Sequence, residues 1–258
     1  RFYGHYGRPP ADVAAFNACR KHADKLHEIS AERIRHEMLR ILMSPDPADV
    51  FLLMKNAHGL DVVLPEASNI GRLRATAWLS TRALVLDGLH ADPIRRLGAS
   101  LRADTDASAI GSRLRLSNRE SDRLVKMTEI VHALREPLSE NATQRLVHVH
   151  GGEAVADATI LAWAERLAEV AKLPSDETAA RRTMLEIALA WKSPTFPIDG
   201  KDAQALGLER GPQIGKVLRQ VENWWAAGDF NADRDACLAQ LQKAIQDIRT
   251  QKKPGNGR

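Results

Sequence analysis

Apolar residues recur at helical spacing along most of the chain. Leu124, Met127, Val131 and Leu134 make one such stripe, and Ile160, Trp163, Leu167 and Val170 another. Met184, Ile187, Ala188 and Trp191, then Ile214, Val217, Leu218 and Val221, then Leu238, Leu241, Ile245 and Ile248 continue the pattern. Helical stripes are buried by packing on other helices, and 258 residues suffice for a sizeable core. Aromatic residues are 5% of the chain, while Ala, Leu and Arg abound, which favours helix over strand. The expectation is an all-α fold, an elongated multi-helix bundle, with only Val62-Val63-Leu64 extended before Pro65.

Local chemistry marks the boundaries. Ser30, Ser139 and Ser175 stand where a hydroxyl can accept from the first free amides of a helix, and Ser117 with Glu120 makes a capping box. Gly59 and the pair Gly151-Gly152 suit helix C-terminal turns. Ser44-Pro45-Asp46-Pro47 and Ser193-Pro194-Thr195-Phe196-Pro197 are stiff breaks, so the chain divides into residues 1–44, 45–192 and 193–258, with a frayed end from Gln251.

No apolar run approaches the roughly 20 residues that span a bilayer. The start, Arg1-Phe2-Tyr3-Gly4, lacks the apolar core of a secretion signal, so a soluble cytoplasmic chain without a membrane partner is expected. Cys19 and Cys237, lacking Cys or His at metal spacing, read as reduced thiols.

The net charge of +4 hides a local excess. From Ile70 to Arg119 nine arginines (72, 74, 82, 95, 96, 102, 113, 115 and 119) face four aspartates, with no lysine. Guanidinium groups suit planar phosphate contacts, so Arg72, Arg74, Arg95, Arg96, Arg102, Arg113, Arg115 and Arg119 are candidate phosphate ligands. Helical spacing points neighbours such as Arg95 and Arg96 about 100° apart, so three to five of the eight are expected to face a nucleic acid, the rest pairing with acids. Gly211-Pro212 opens a helix whose free amides could take a phosphate, with Lys216 and Arg219 on the next turns.

Catalytic constellations are scarce. Asp104-Thr105-Asp106 has the spacing of a metal-binding carboxylate pair but sits at a turn between helices, so capping is the better reading. His148 and His150 diverge on a helix and read as cations near its end. No phosphate-binding glycine loop or nucleophile elbow occurs, and no metal or cofactor is assigned to this chain. The five tryptophans read as core anchors, although Trp224 and Trp225 cannot both face inward.

Ile29-Ser30-Ala31-Glu32-Arg33-Ile34-Arg35-His36-Glu37, an I-S-x-E-R-I-x-x-E core, resembles the neck helix of the bacterial tRNA nucleotidyltransferase and poly(A) polymerase family. Val63-Leu64-Pro65-Glu66 is similar to that family's L-P-E turn. Phe196-Pro197-Ile198-Asp199-Gly200-Lys201-Asp202, with Leu206-Gly207-Leu208 and the stretch from Gly211 to Leu218, is similar to its tail. The resemblance spans the chain and implies a neck, a body and a tail. The family's catalytic head, with its D-x-D pair, R-R-D segment and E-D-x-x-R motif, has no counterpart, and Arg1 to Gly7 resembles the last turn of the helix after that motif. The resemblance thus implies a longer protein cut just past its active site. It also implies a neck in which Ser30, Glu32 and Arg33 support the nucleotide pocket, with tRNA and the head as partners and Mg²⁺ with CTP and ATP used by the full-length enzyme. The expected function is the tRNA-binding portion of a CCA-adding enzyme, inactive alone. The RNA-binding portion of a poly(A) polymerase is the alternative within the family, and a non-catalytic helical protein-interaction scaffold the alternative outside it.

Overall fold

A computed structural model describes residues 1–170 and 172–251, the side chains of 249–251 excepted. The expected end from Gln251 therefore lies, beyond that residue, outside the described part. The chain is all-α. Among the described residues no strand forms, and one isolated bridge joins Ala67 to Leu101. Two compact units divide at Trp191 and Lys192.

The first unit begins with α1 (Phe2–Tyr6), α2 (Val13–Lys21), α3 (Ala31–Leu42), α4 (Pro47–Asn56), α5 (Gly59–Val63) and α6 (Ile70–Trp78). It continues with α7 (Pro93–Ser100), α8 (Ala107–Arg113), α9 (Asn118–Val131), α10 (Glu140–His150), α11 (Gly152–Glu169) and α12 (Ser175–Ala190). Side-chain caps satisfy the leading amides of most of them: Ser30, Asp46, Asn69, Asp92, Asp106 and Ser139 each accept from an amide three residues on. The Ser117–Glu120 capping box is formed.

Helix α11 is the axis of this unit. Every residue from Ala154 to Ala164 is buried, as a helix surrounded by α6, α9 and α12 requires. Gly152 lets α11 start against α12, because a Cβ there would lie 2.3 Å from the Ala188 carbonyl oxygen. One core joins Met38, Ile41 and Leu42 of α3 to Phe51, Leu97, Leu124 and Leu161. A second gathers Leu79, Val155, Ile160, Trp163 and Leu185.

The second unit contains α13 (Gly200–Ala205), α14 (Pro212–Ala227) and α15 (Arg234–Gln251). Val217, Val221 and Trp225 of α14 pack with Cys237, Leu241 and Ile245 of α15. The Trp225 indole donates to the Ala232 carbonyl at 3.0 Å, while Trp224 is exposed.

Four sequence expectations need correction. Val62 and Val63 belong to the short helix α5, because burial of Leu60 and Val63 in the core outweighs their strand propensity, and only Leu64 is out of helix. Gly59 opens that helix, while His58 takes the left-handed position before it, at φ 58°. Ser175 is the first residue of α12 and makes no cap; at that end the Thr178 hydroxyl donates to the Pro174 carbonyl at 3.0 Å. Trp78 is no core anchor, being 49% exposed.

Candidate nucleic-acid interface

The basic window separates by depth. Arg72, Arg95 and Arg96 are buried, with guanidinium donors directed at the protein itself. Arg72 donates to the carbonyls of Ala99 at 2.9 Å, Gly98 at 3.2 Å and Leu101, and meets Glu165 at 3.3 Å. Arg95 pairs with Asp157 at 2.7 Å and donates to the His90 carbonyl at 2.9 Å. Arg96 donates to the carbonyls of Leu42 at 2.6 Å and Ser44 at 3.1 Å. Burial lowers the pKa of Arg72 and Arg96, and for Arg96 the charge of Arg95 acts in the same direction.

Arg74, Arg102, Arg113, Arg115 and Arg119 stay at the surface. Arg113 holds Glu66 by two bonds, of 2.9 and 2.5 Å, and this hydrogen bonding keeps the Glu66 carboxyl below its usual range. Arg102 lies 3.1 Å from Asp104, Arg119 lies 3.5 Å from Glu153, and Arg74 pairs with Asp49. Arg115 has left-handed backbone at φ 54°, and its carbonyl accepts from the Arg35 guanidinium at 2.5 Å, which ties the loop after α8 to α3. Exposed ion pairs are weak, so these side chains can exchange a carboxylate for a phosphate.

A shallow cavity of about 480 Å³ adds cations outside that window. Arg119, Arg123 and Lys126 of α9, together with His150 and Gly151, line it. Positions 119, 123 and 126 lie on one helix face, a signal that a window ending at Arg119 misses. Arg123 is itself committed, bonding Asp157 at 2.6 Å and Asp92 at 2.8 Å, so Arg119 and exposed Lys126 are the cations presented.

The Ser30 hydroxyl accepts from the Arg33 amide at 3.4 Å, and Ser30, Glu32 and Arg33 are all exposed at the start of α3. In the second unit, Gly211 is extended and exposed ahead of Pro212, the first residue of α14. Lys216 and Arg219 are exposed one turn apart on that helix.

A family model described as the probable RNA- and SrmB-binding site of polymerase A matches residues 13–70, from α2 to the start of α6. The mitochondrial CCA tRNA nucleotidyltransferase 1 of Homo sapiens is 25% identical over 258 residues, covering 94% of this chain and 53% of that protein. Its Danio rerio counterpart is 22% identical, covering 95% and 54%. These matches make the chain similar to the CCA-adding enzyme and poly(A) polymerase family. It spans about half the length of these two relatives. An uncharacterized 28 kDa protein of Rhodospirillum rubrum is 39% identical over 80 residues, 31% of each chain.

Similarity to this family raises the question of metal and nucleotide. The D-x-D spacing inside the basic window, Asp104 and Asp106, does not provide a metal pair: Asp104 faces Arg102, and Asp106 caps α8 by accepting from the Ala109 amide at 3.0 Å. The two carboxylates serve different local partners, so these residues do not fit a Mg²⁺–nucleotide centre.

Proposed function

We propose that this chain is the tRNA-binding portion of a CCA-adding tRNA nucleotidyltransferase, which positions the RNA 3′ end for nucleotide addition by a catalytic head that these residues do not contain. The observation that carries the reading is the alignment with CCA tRNA nucleotidyltransferases along 94–95% of the chain. The surface chemistry agrees with it. Arg102, Arg113, Arg115, Arg119 and Lys126 in the first unit, and Lys216 and Arg219 in the second, are exposed cations without a base-reading motif, and such cations grip A-form backbone rather than sequence. Ser30, Glu32 and Arg33, exposed at the head of α3, are proposed as the neck's support for the nucleotide pocket, and Gly211 as a phosphate-facing helix start. The neck, body and tail divide functionally near residues 44 and 192. Mg²⁺, CTP and ATP belong to the full-length enzyme, and two unbridged thiols fit a reducing cytoplasm.

The family model's description favours a second reading, the RNA-binding part of a poly(A) polymerase. One experiment separates the readings: affinity of the chain for tRNA lacking its 3′ CCA and for an oligo(A) strand, each at several salt concentrations. Tighter, salt-sensitive binding of tRNA is expected. Preference for oligo(A) selects the polymerase reading, and no salt-sensitive RNA binding selects a protein-interaction scaffold. The chain alone, supplied with tRNA, CTP, ATP and Mg²⁺, is expected to incorporate no nucleotide.

A further inference from the structure

A cavity on the first unit includes, of the eight candidate phosphate ligands, Arg74 alone, together with Arg82 of the same basic window. It measures about 510 Å³, within the range of small-ligand sites, and Arg74, Trp78, Thr81 and Arg82 line it together with Pro45, Asp46 and Leu167. Arg74, Trp78 and Arg82 follow one another at intervals of four residues. Helix α6 buries Leu73, Thr76 and Ala77 and leaves Arg74 and Trp78 outside. A π-helical turn from Leu79 to Ala83 follows, and it brings exposed Arg82 into the same cavity as Trp78. The Thr81 hydroxyl donates to the Ala77 carbonyl at 2.7 Å, which holds this turn.

The Trp78 indole is 49% open to solvent and shares this cavity with two guanidinium groups. Arg74 meets Asp49 in a pair whose two side chains are each 55% exposed, and Arg82 makes no ion pair among the described residues. A planar ring flanked by anions is the complement of cation, aromatic surface and cation in series.

We propose that Arg74, Trp78 and Arg82 form a stacking site for one unpaired nucleotide of the bound RNA, the indole taking the base and the two guanidinium groups the adjoining phosphates. The proposal rests on the RNA-binding reading above and adds to it a site for single-stranded rather than A-form RNA. Stacking on an aromatic ring tolerates any base, so the site contributes affinity without sequence preference.

The test compares the full chain with Trp78→Ala, Trp78→Leu and Trp78→Phe on two probes, a tRNA and a blunt RNA duplex with no unpaired nucleotide. Trp78→Ala and Trp78→Leu should weaken tRNA binding about 5- to 100-fold, with Trp78→Phe retaining most of the affinity and the duplex changing less than about twofold. Arg82→Ala should lower the log–log salt slope on tRNA by about 0.7 and leave the duplex slope unchanged. Since Trp78 is half exposed, circular dichroism should show each variant folded, and Leu keeps apolar bulk without a stacking face. Unchanged tRNA affinity in Trp78→Leu would overturn the stacking site and leave the RNA-binding reading standing. Equal losses on tRNA and duplex would also overturn it, since an unpaired base would then be irrelevant. If the unaltered chain bound neither probe, both proposals would fall.

Discussion

Arg96 of α7 donates from Nη1 to the carbonyl oxygen of Leu42, 2.6 Å away, and so closes the C-terminal end of α3. A second bond reaches the Ser44 carbonyl at 3.1 Å, while the Arg96 Nε and the Ser44 hydroxyl are buried without partners. The guanidinium thus satisfies carbonyls that the end of α3 leaves open, as a cation favoured by the helix dipole.

Arg96→Ala should therefore cost about 2–4 kcal/mol of stability, because it strands two buried carbonyls and opens a cavity. Arg96→Met should cost less, since it keeps the packing and removes a buried charge. Urea unfolding measures both. If Arg96 were instead a phosphate ligand, either change would reduce the salt slope of RNA binding with the fold intact.

Asp157 is fully buried on α11 and is shared by Arg95 and Arg123. Asp157→Asn leaves two guanidinium groups without their common counter-charge, and a loss of about 3–5 kcal/mol is expected from breaking a buried pair on one side. A double-mutant cycle with Arg123→Met should recover part of that loss, which thermal unfolding can read.

Asp92 makes the same network sensitive to acid. Burial alone would raise its pKa, but the Arg95 amide and the Arg123 guanidinium outweigh that and hold the carboxyl below its ordinary value of 3.8. Because the folded value is depressed, the stabilisation is complete above the unfolded value and disappears as pH falls through the folded one. The Tm of the unaltered chain should drop between about pH 5 and pH 3 more steeply than that of Asp92→Asn, which starts lower at neutral pH.

How much of this was legible in the sequence depended on whether a signal was local. The stripes of α9 and α14 and the Ser117–Glu120 box lie within a few residues, and all are realised. Arg72, Arg95 and Arg96 illustrate the opposite case, because their partners Glu165, Asp157 and Leu42 lie 93, 62 and 54 positions away. The sequence also could not reveal that Trp78 faces out, since an apolar helical pattern does not show where the π-helical turn and the neighbouring α11 leave a gap.

The surface arginines give the sharpest division between grip and architecture. If Arg102, Arg115, Arg119 and Lys126 hold phosphates, each Ala substitution should lower the log–log salt slope of tRNA affinity by about 0.7–0.9 for every phosphate released, with Tm nearly unchanged. Arg113 should behave differently from them. Its two bonds to Glu66 join α8 to the turn before α6, so Arg113→Ala should release Glu66 toward its usual pKa and shift Tm as well as the slope. Arg72→Ala, whose donors all point inward, should lower Tm sharply and leave the slope of the folded protein alone. Filter binding across a salt series, run beside thermal unfolding, reads both quantities on the same preparations. A slope that stays at the unaltered chain's value in every surface variant would remove these side chains from the RNA interface, however basic the window in which they stand.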